Sequence, residues 1–279
     1  CSMTAHGINP NIHTIARICN PDYTDQVYKM QKTFALSLTV NPEKQAAIEI
    51  ERLLKFPGFL KRDSFAKGRV EIVELRVDER SRLCNVALSE LNRVIKCRVL
   101  VCAVLRRGDV VAPDGSFVLR EGDRIFVTAS TEILATLLDN LGFITKKVNH
   151  VMICGGGRVS YYLAQQLEKD GMTVRLIEKD PKHCEELAAL LPKTEIINDD
   201  ASNTFVLKRE NLESCDALVT ATGMDELNMI ISLYGTKHGV SQVITKLGHM
   251  ENGSMIDQLP IGSTIWPKDL CCNGIVRYI

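Results

Sequence analysis

The sequence predicts an α/β chain in which a doubly wound parallel sheet is joined to a small α+β domain. Three observations carry that prediction. From Val151 a short apolar run, three consecutive glycines and a helical run follow one another. Strands and helices then alternate as far as Leu247, the order of a parallel sheet. Ahead of Val151, from Gly68 to about Asn140, alternating strands are punctuated by Pro-Asp-Gly and Glu-Gly-Asp turns.

Val151 to Cys154 is uniformly apolar, as in a strand buried on both faces. Gly155 permits a tight turn out of that strand, and Gly156 and Gly157 follow. A helix then runs through Tyr161, Leu163, Ala164 and Leu167 and is closed by Gly171. The next strand, Val174 to Ile177, ends on Glu178, 23 residues after Gly155. Strand, glycine turn, helix, strand and acid form the dinucleotide fingerprint of a Rossmann-like sheet. Each part has a physical task. Gly157 has no Cβ, so a pyrophosphate can approach the backbone. The N–H groups that open the helix face the anion, and the helix dipole favours negative charge there. The Glu178 carboxylate can accept both ribose hydroxyls and disfavours a 2′-phosphate. Ser160 holds the third small position, packed toward the strand. The bland alternative is a glycine turn that binds nothing.

The sheet continues with a helix over Pro181 to Leu191, capped by Asp180. A strand from Thr194 to Ile197 ends in Asn198-Asp199-Asp200, and a helix is expected from Ser202 to Lys208. Strand Ala217 to Thr220, helix Met224 to Lys237 and strand Gln242 to Leu247 complete it. Ligands of such sheets lie beyond the carboxyl ends of the strands. The candidate binding residues are therefore Gly155, Gly156, Gly157, Arg158, Val159, Glu178, Asp200, Ala201, Thr222 and Lys246. Arg158 reads equally as a phosphate contact or as a solvated arginine at a helix start. Asp200 is also a candidate cap for the helix at Ser202.

The N-terminal stretch begins as if within a helix and continues into a strand from His13 to Ile18 and a turn at Asn20-Pro21-Asp22. Asn41 caps a helix that starts at Pro42, runs through Leu53-Leu54 and stops at Phe56-Pro57-Gly58. In the small domain Val70 to Val77 alternates as a strand, Ala87 to Leu91 is a short helix and Cys97 to Leu105 a strand. Arg124 to Thr128 is the last strand, and Thr131 to Leu141 a closing helix. The charges there follow turn chemistry and form no catalytic pattern.

The chain has 279 residues, 45% of them apolar, with 34 basic and 34 acidic side chains. The balanced charge argues against a nucleic-acid surface. Ten cysteines show no CxxC pair and no Cys/His ligand spacing, which reads as a reducing compartment without a disulfide framework. His183-Cys184 and Cys271-Cys272 lack the further ligands a metal site needs, so no metal residue is assigned. The histidines make no Tyr-Lys, His-Asp or Cys-His constellation, and no catalytic residue is assigned. A nicotinamide-dependent oxidoreductase remains the rival reading; His249, just past the last strand, is its candidate imidazole near the crevice, and reads more readily as a surface histidine.

Two parts of the chain echo each other. Thr39-Val40-Asn41-Pro42 with Ile50 and Arg52 parallels Thr264-Ile265-Trp266-Pro267 with Ile275 and Arg277, at a constant offset of 225 residues. Thr14-Ile15-Ala16-Arg17 parallels Val243-Ile244-Thr245-Lys246 after a small insertion. A chain covering about one period of a tandem repeat is expected, as a fragment of a longer protein.

These strings resemble the TrkA family of potassium-uptake regulators, built from RCK domains. The matching residues are Cys154-Gly155-Gly156-Gly157-Arg158, Leu176-Ile177-Glu178-Lys179-Asp180, Asp199-Asp200-Ala201-Ser202 and Thr222 to Met229, with Thr14-Ile15-Ala16-Arg17 and Phe56-Pro57-Gly58. The region from Gly68 to Thr128 resembles the TrkA C-terminal domain; Ser160 and Asp199 depart from the family pattern. The resemblance implies three parts: residues 1–66 as the C-terminal half of a first RCK N-type domain, 67–145 as an α+β TrkA-C domain, and 146–279 as a second RCK N-type domain. It implies NAD(H) as first ligand, with ATP/ADP or AMP as alternatives. Glu178 would hold ribose, Asp200 the adenine side, and Arg158 with Lys246 the phosphates. It further implies a non-catalytic cytoplasmic subunit, peripheral on the inner face of the plasma membrane. That subunit would form a dimer or tetrameric assembly and gate a membrane-spanning potassium transporter subunit.

Overall fold

The structure is a computed structural model. It describes residues 1–20, 23, 26–27, 29–30, 32–55, 61–65, 70–78, 81–141, 148–248, 256 and 259–278. The turn at Pro21-Asp22, the stop at Phe56-Pro57-Gly58 and His249 lie outside the described residues. Two compact units are present: residues 1–51, 149–252 and 264–279 form the first, residues 52–148 and 253–263 the second. Among the described residues no helix is long and apolar enough to cross a membrane.

The first unit holds the doubly wound sheet. Its strands are β8 (His150–Cys154), β9 (Thr173–Glu178), β10 (Glu195–Asn198), β11 (Ala217–Thr220), β12 (Gln242–Lys246) and β13 (Ser263–Ile265). They stand in the order β10-β9-β8-β11-β12-β13, and β8 pairs in parallel with both β9 and β11. The order reverses between β8 and β11, so a crevice opens beyond their carboxyl ends. The four positions of β11 and the last four of β8 are all buried, which explains their unbroken apolar runs. On one face Met152, Cys154, Leu218 and Val243 pack with Val206 and Leu207 of α7 (Thr204–Arg209) and Ile231 of α8 (Asp225–Lys237). Two further helices, α5 (Arg158–Lys169) and α6 (Pro181–Leu190), pack against β9, and α6 also meets β10. Burial holds the Cys154 thiol protonated, its pKa pushed up to about 12, with Cys215 adding to the effect.

The same unit contains the echoed segment, which follows a short first helix, α1 (Ser2–Ile8). Here β1 (Ile15–Arg17) pairs in parallel with β2 (Leu38–Val40), ahead of α2 (Pro42–Lys55), as β12 and β13 precede α9 (Pro267–Tyr278). One backbone bond recurs in both places: Ile18 N–H donates to Val40 O and Leu247 N–H to Ile265 O, each at 2.9 Å. The expected Asn41 cap is present, its Oδ1 accepting from Lys44 N–H at 2.9 Å.

The second unit is an antiparallel sheet in the order β3-β4-β7-β5-β6. Its strands are β3 (Lys61–Phe65), β4 (Val70–Arg76), β5 (Leu100–Arg106), β6 (Asp109–Val111) and β7 (Arg124–Ala129), with helices α3 (Leu91–Ile95) and α4 (Thr131–Leu141). Val73, Leu75, Val104, Ile125 and Val127 are buried with Leu137. Asp123 is buried and takes two bonds from Arg106, at 2.8 and 2.7 Å, while the guanidinium stacks 4.5 Å from the Phe117 ring centre.

Candidate functional site

The crevice is built around the glycine turn. Gly155 has φ +97°, and a Cβ there would lie 2.8 Å from Thr222 Cα and 2.9 Å from Ala221 O. Glycine is thus required twice, by its backbone conformation and by the close pass of the chain leaving β11. Gly156 is required for a different reason: a Cβ would lie 2.7 Å from Leu187 Cδ1 and 3.0 Å from Glu178 Oε2. Gly157 caps α5, and a Cβ there would meet only Ala221 O, at 4.0 Å. That side of the turn is open. No side chain caps α5, so the N–H groups of its first turn are left for a partner in the crevice.

Glu178 closes the turn from β9. Its Oε2 accepts from Gly156 N–H at 2.7 Å and its Oε1 from Asp180 N–H at 2.9 Å. Each carboxylate oxygen keeps a lone pair, so the group can still accept from a diol. Asp180 in turn caps α6 through Lys182 and His183 N–H. His183 holds the next peptide of the turn, its Nε2 2.9 Å from Gly156 O. Asn198, at the end of β10, donates to the carbonyls of Glu178 and Lys179, both at 3.1 Å.

The opposite wall comes from β11, β12 and α8. Asn228 is fully buried. Its Oδ1 accepts from Thr222 N–H at 2.9 Å and Thr222 Oγ1 at 2.7 Å, and its Nδ2 donates to Lys246 O at 3.0 Å and Thr222 O at 3.3 Å. Lys246 Nζ donates to Thr222 O at 2.7 Å. Burial lowers the Lys246 pKa, against the opposing pull of Asp225 and Glu43. Both Asp225 oxygens accept from Gly248 N–H at 2.9 Å.

The structure therefore brings Gly155, Gly156, Gly157, Glu178, Thr222 and Lys246 together around one turn. Arg158 is exposed at the start of α5, with no ion-pair partner among the described residues. Val159 is buried, so only its backbone can face the crevice. Ala201 is buried in the core beside Cys154, and Asp200 is exposed at the rim after β10. The helix expected from Ser202 begins instead at Thr204, and its cap is Asn203, not Asp200. Asp200 accepts from Ser202 N–H at 2.8 Å, and that bond holds its carboxyl below the usual range. Sequence reasoning missed His183, Asn198 and Asn228 as site-builders. For Asn228 a signal existed: an amide sits between Leu227 and Met229 on a helix, where packing asks for an apolar residue. Among the described residues no group of three or more His, Cys, Asp or Glu is placed to hold a metal ion.

Residues 151–267 match the TrkA-N domain, and residues 72–142 match the TrkA-C domain. The chain belongs to the TrkA family. It is 30% identical to the Trk system potassium uptake protein TrkA of Haemophilus influenzae over 270 residues, covering 95% of this chain and 58% of that protein. It is 26% identical to the Trk system potassium uptake protein trkA homolog 1 of Methanosarcina mazei, covering 95% of this chain and 65% of that protein. The chain thus spans less than two thirds of the length of these relatives. Among solved structures, the GsuK RCK domain superposes with a TM-score of 0.66 at 15% identity, over 98% of this chain and 58% of that one. The GsuK channel bound to NAD gives 0.63 at 15% identity, over 99% of this chain and 48% of that one. At such identities the likeness concerns the fold, which this chain shares with these RCK structures.

Proposed function

We propose that this chain is the nucleotide-sensing part of a non-catalytic, cytoplasmic regulatory subunit that gates a membrane-spanning potassium transporter. The observation that carries this is the glycine turn, with an open side at Gly157, uncapped helix amides beside it and Glu178 anchored at its edge. These residues fit a dinucleotide. The amides of α5 would take the pyrophosphate, with Arg158 and Lys246 as candidate cations, and Glu178 the ribose hydroxyls. Asp200 would sit on the adenine side, and the backbone of Val159 and Ala201 would line the rim. The names of the relatives, potassium uptake proteins, and of the RCK neighbour bound to NAD support the transporter partner and NAD(H) as ligand. ATP/ADP and AMP share the adenosine and phosphate chemistry. In this reading residues 1–66 are the C-terminal half of a first RCK N-type domain, 67–145 a TrkA-C domain and 146–279 a second N-type domain. The subunit works as a homo-oligomer on the inner face of the plasma membrane. A ligand that prefers one arrangement of paired domains would shift the gate by that difference in affinity.

The oxidoreductase alternative gains no observation in its favour. The imidazole beside the glycine turn, His183, is held by Gly156 and Glu186. The test is calorimetric titration of NADH, NAD, ATP, ADP and AMP into the protein and into Glu178→Ala. Micromolar binding of one ligand, weakened at least about tenfold in the variant by loss of a charge-assisted diol contact, is expected. Absence of binding by all five would refute the reading.

A further inference from the structure

We propose that His183 is a positioning residue of the glycine turn, and that its protonation makes the grip on an anionic nucleotide depend on pH. This rests on the nucleotide-binding reading above. Gly156 has no side chain to anchor it, because Leu187 and Glu178 fill the space a Cβ would need. It is held instead from both ends. Glu178 accepts from its N–H at 2.7 Å, and His183 Nε2 faces its carbonyl at 2.9 Å. The second ring nitrogen, Nδ1, lies 3.2 Å from Glu186 Oε2.

Both partners of the ring are acceptors. A carbonyl and a carboxylate have no proton to offer, so both ring nitrogens can be satisfied only when both carry hydrogen. That species is the imidazolium. A neutral ring keeps one contact and loses the other. The charges that face the ring agree. Glu186 faces it from its own helix and Glu178 from the end of β9, while the glycine turn contributes a carbonyl and no side chain. The Gly156 carbonyl is the largest cause of a raised His183 pKa, with both glutamates adding and burial opposing.

A phosphate group at the start of α5 would bring further negative charge beside this ring. Ligand binding would then favour the protonated form, and by linkage protonation must favour the ligand. The sign is fixed: affinity is highest below the His183 pKa of the free protein and falls as pH rises through the pKa of the complex. A nucleotide read through this turn is therefore read more strongly in acid.

The test uses the 279-residue chain, with NADH as the probe, titrated by calorimetry at about pH 6, 7 and 8, the span over which histidine changes charge. His183→Gln keeps an N–H donor for Gly156 O and removes the charge. The wild type should lose about fivefold in affinity across this range. The variant should be flat and close to the wild-type value at the alkaline end. Nitrogen NMR of the free protein should show both ring nitrogens protonated in mild acid, with a pKa above the ordinary 6.5. Equal pH slopes in the two proteins, or a ring titrating at or below 6.5, would overturn the proposal while leaving nucleotide binding intact. A folded wild type that binds no NADH at any of the three pH values would remove the nucleotide reading and this proposal with it.

Discussion

Where the chain leaves β8, its backbone is held by two ionisable side chains. Where it leaves β11 and β12, it is held by a buried amide. Glu178 and His183 grip the N–H and the carbonyl of Gly156 with side chains that are partly exposed and ionisable. Asn228 grips Thr222 and Lys246 from a fully buried position, with both its oxygen and its nitrogen engaged. The contrast separates two jobs. A saturated, neutral network fixes geometry and is indifferent to pH, salt and ligand. A charged pair on an open turn responds to all three. The Asn228 amide is the part of the crevice that stays put; the ionisable groups around it, Lys246 on the same wall included, are the part that answers.

The largest way to break this contrast is Gly155→Ala. The methyl would lie within 3 Å of backbone atoms of Ala221 and Thr222 while the residue is held at φ +97°. Backbone cannot swing aside as a side chain does, so a loss of roughly 3 kcal/mol is expected, read from urea midpoints. Both walls would fail together, because this glycine is where they touch. Next comes Asn228→Ala, which leaves the Thr222 amide and the Lys246 carbonyl without their partner. It should cost about 2 kcal/mol, with the loss independent of pH between about 6 and 8. A loss that varied across that range would mean the amide is coupled to the ionisable groups around it. The smallest effect has the opposite sign. Ser160 is fully buried and its hydroxyl has no partner among the described residues. Ser160→Ala should stabilise by about 0.5 to 1 kcal/mol and leave NADH affinity unchanged.

What is legible in the sequence follows the range of the interactions involved. The glycine turn, Glu178 and the caps at Asn41 and Asp180 are set by neighbours a few residues away, or by a motif with fixed internal spacing, and they stand out in the string. That the sheet is parallel follows from the alternation of strands and helices, and the fingerprint adds that it is doubly wound. His183 does not stand out, since its task depends on a carbonyl 27 residues earlier in the chain. The start of α7 differs from the expected one because Asp200 and Asn203 can both cap a helix; Asp200 takes the N–H of Ser202, and Asn203 that of Phe205 in the first turn. Strand β6 escapes a sequence reading because its three residues are all exposed and show no buried face to alternate. The expected strand from Cys97 starts at Leu100, and its register shifts between Val101 and Ala103, an irregularity that composition does not signal.

The central strand of the large sheet has one partner near it in the chain and one far away. β8 meets β9 directly after a single helix, but Val151 finds Ala217 only after two more strands and their helices. The first pairing closes a short loop and the second a long one, so the assembly of β8, β9 and β10 can precede the arrival of β11 and β12. The seam between those two events runs between Gly155 and Thr222. A molecule that touches both sides of that seam can dock only after the last step of folding is complete, and while it stays it holds shut the place where the chain would first come apart.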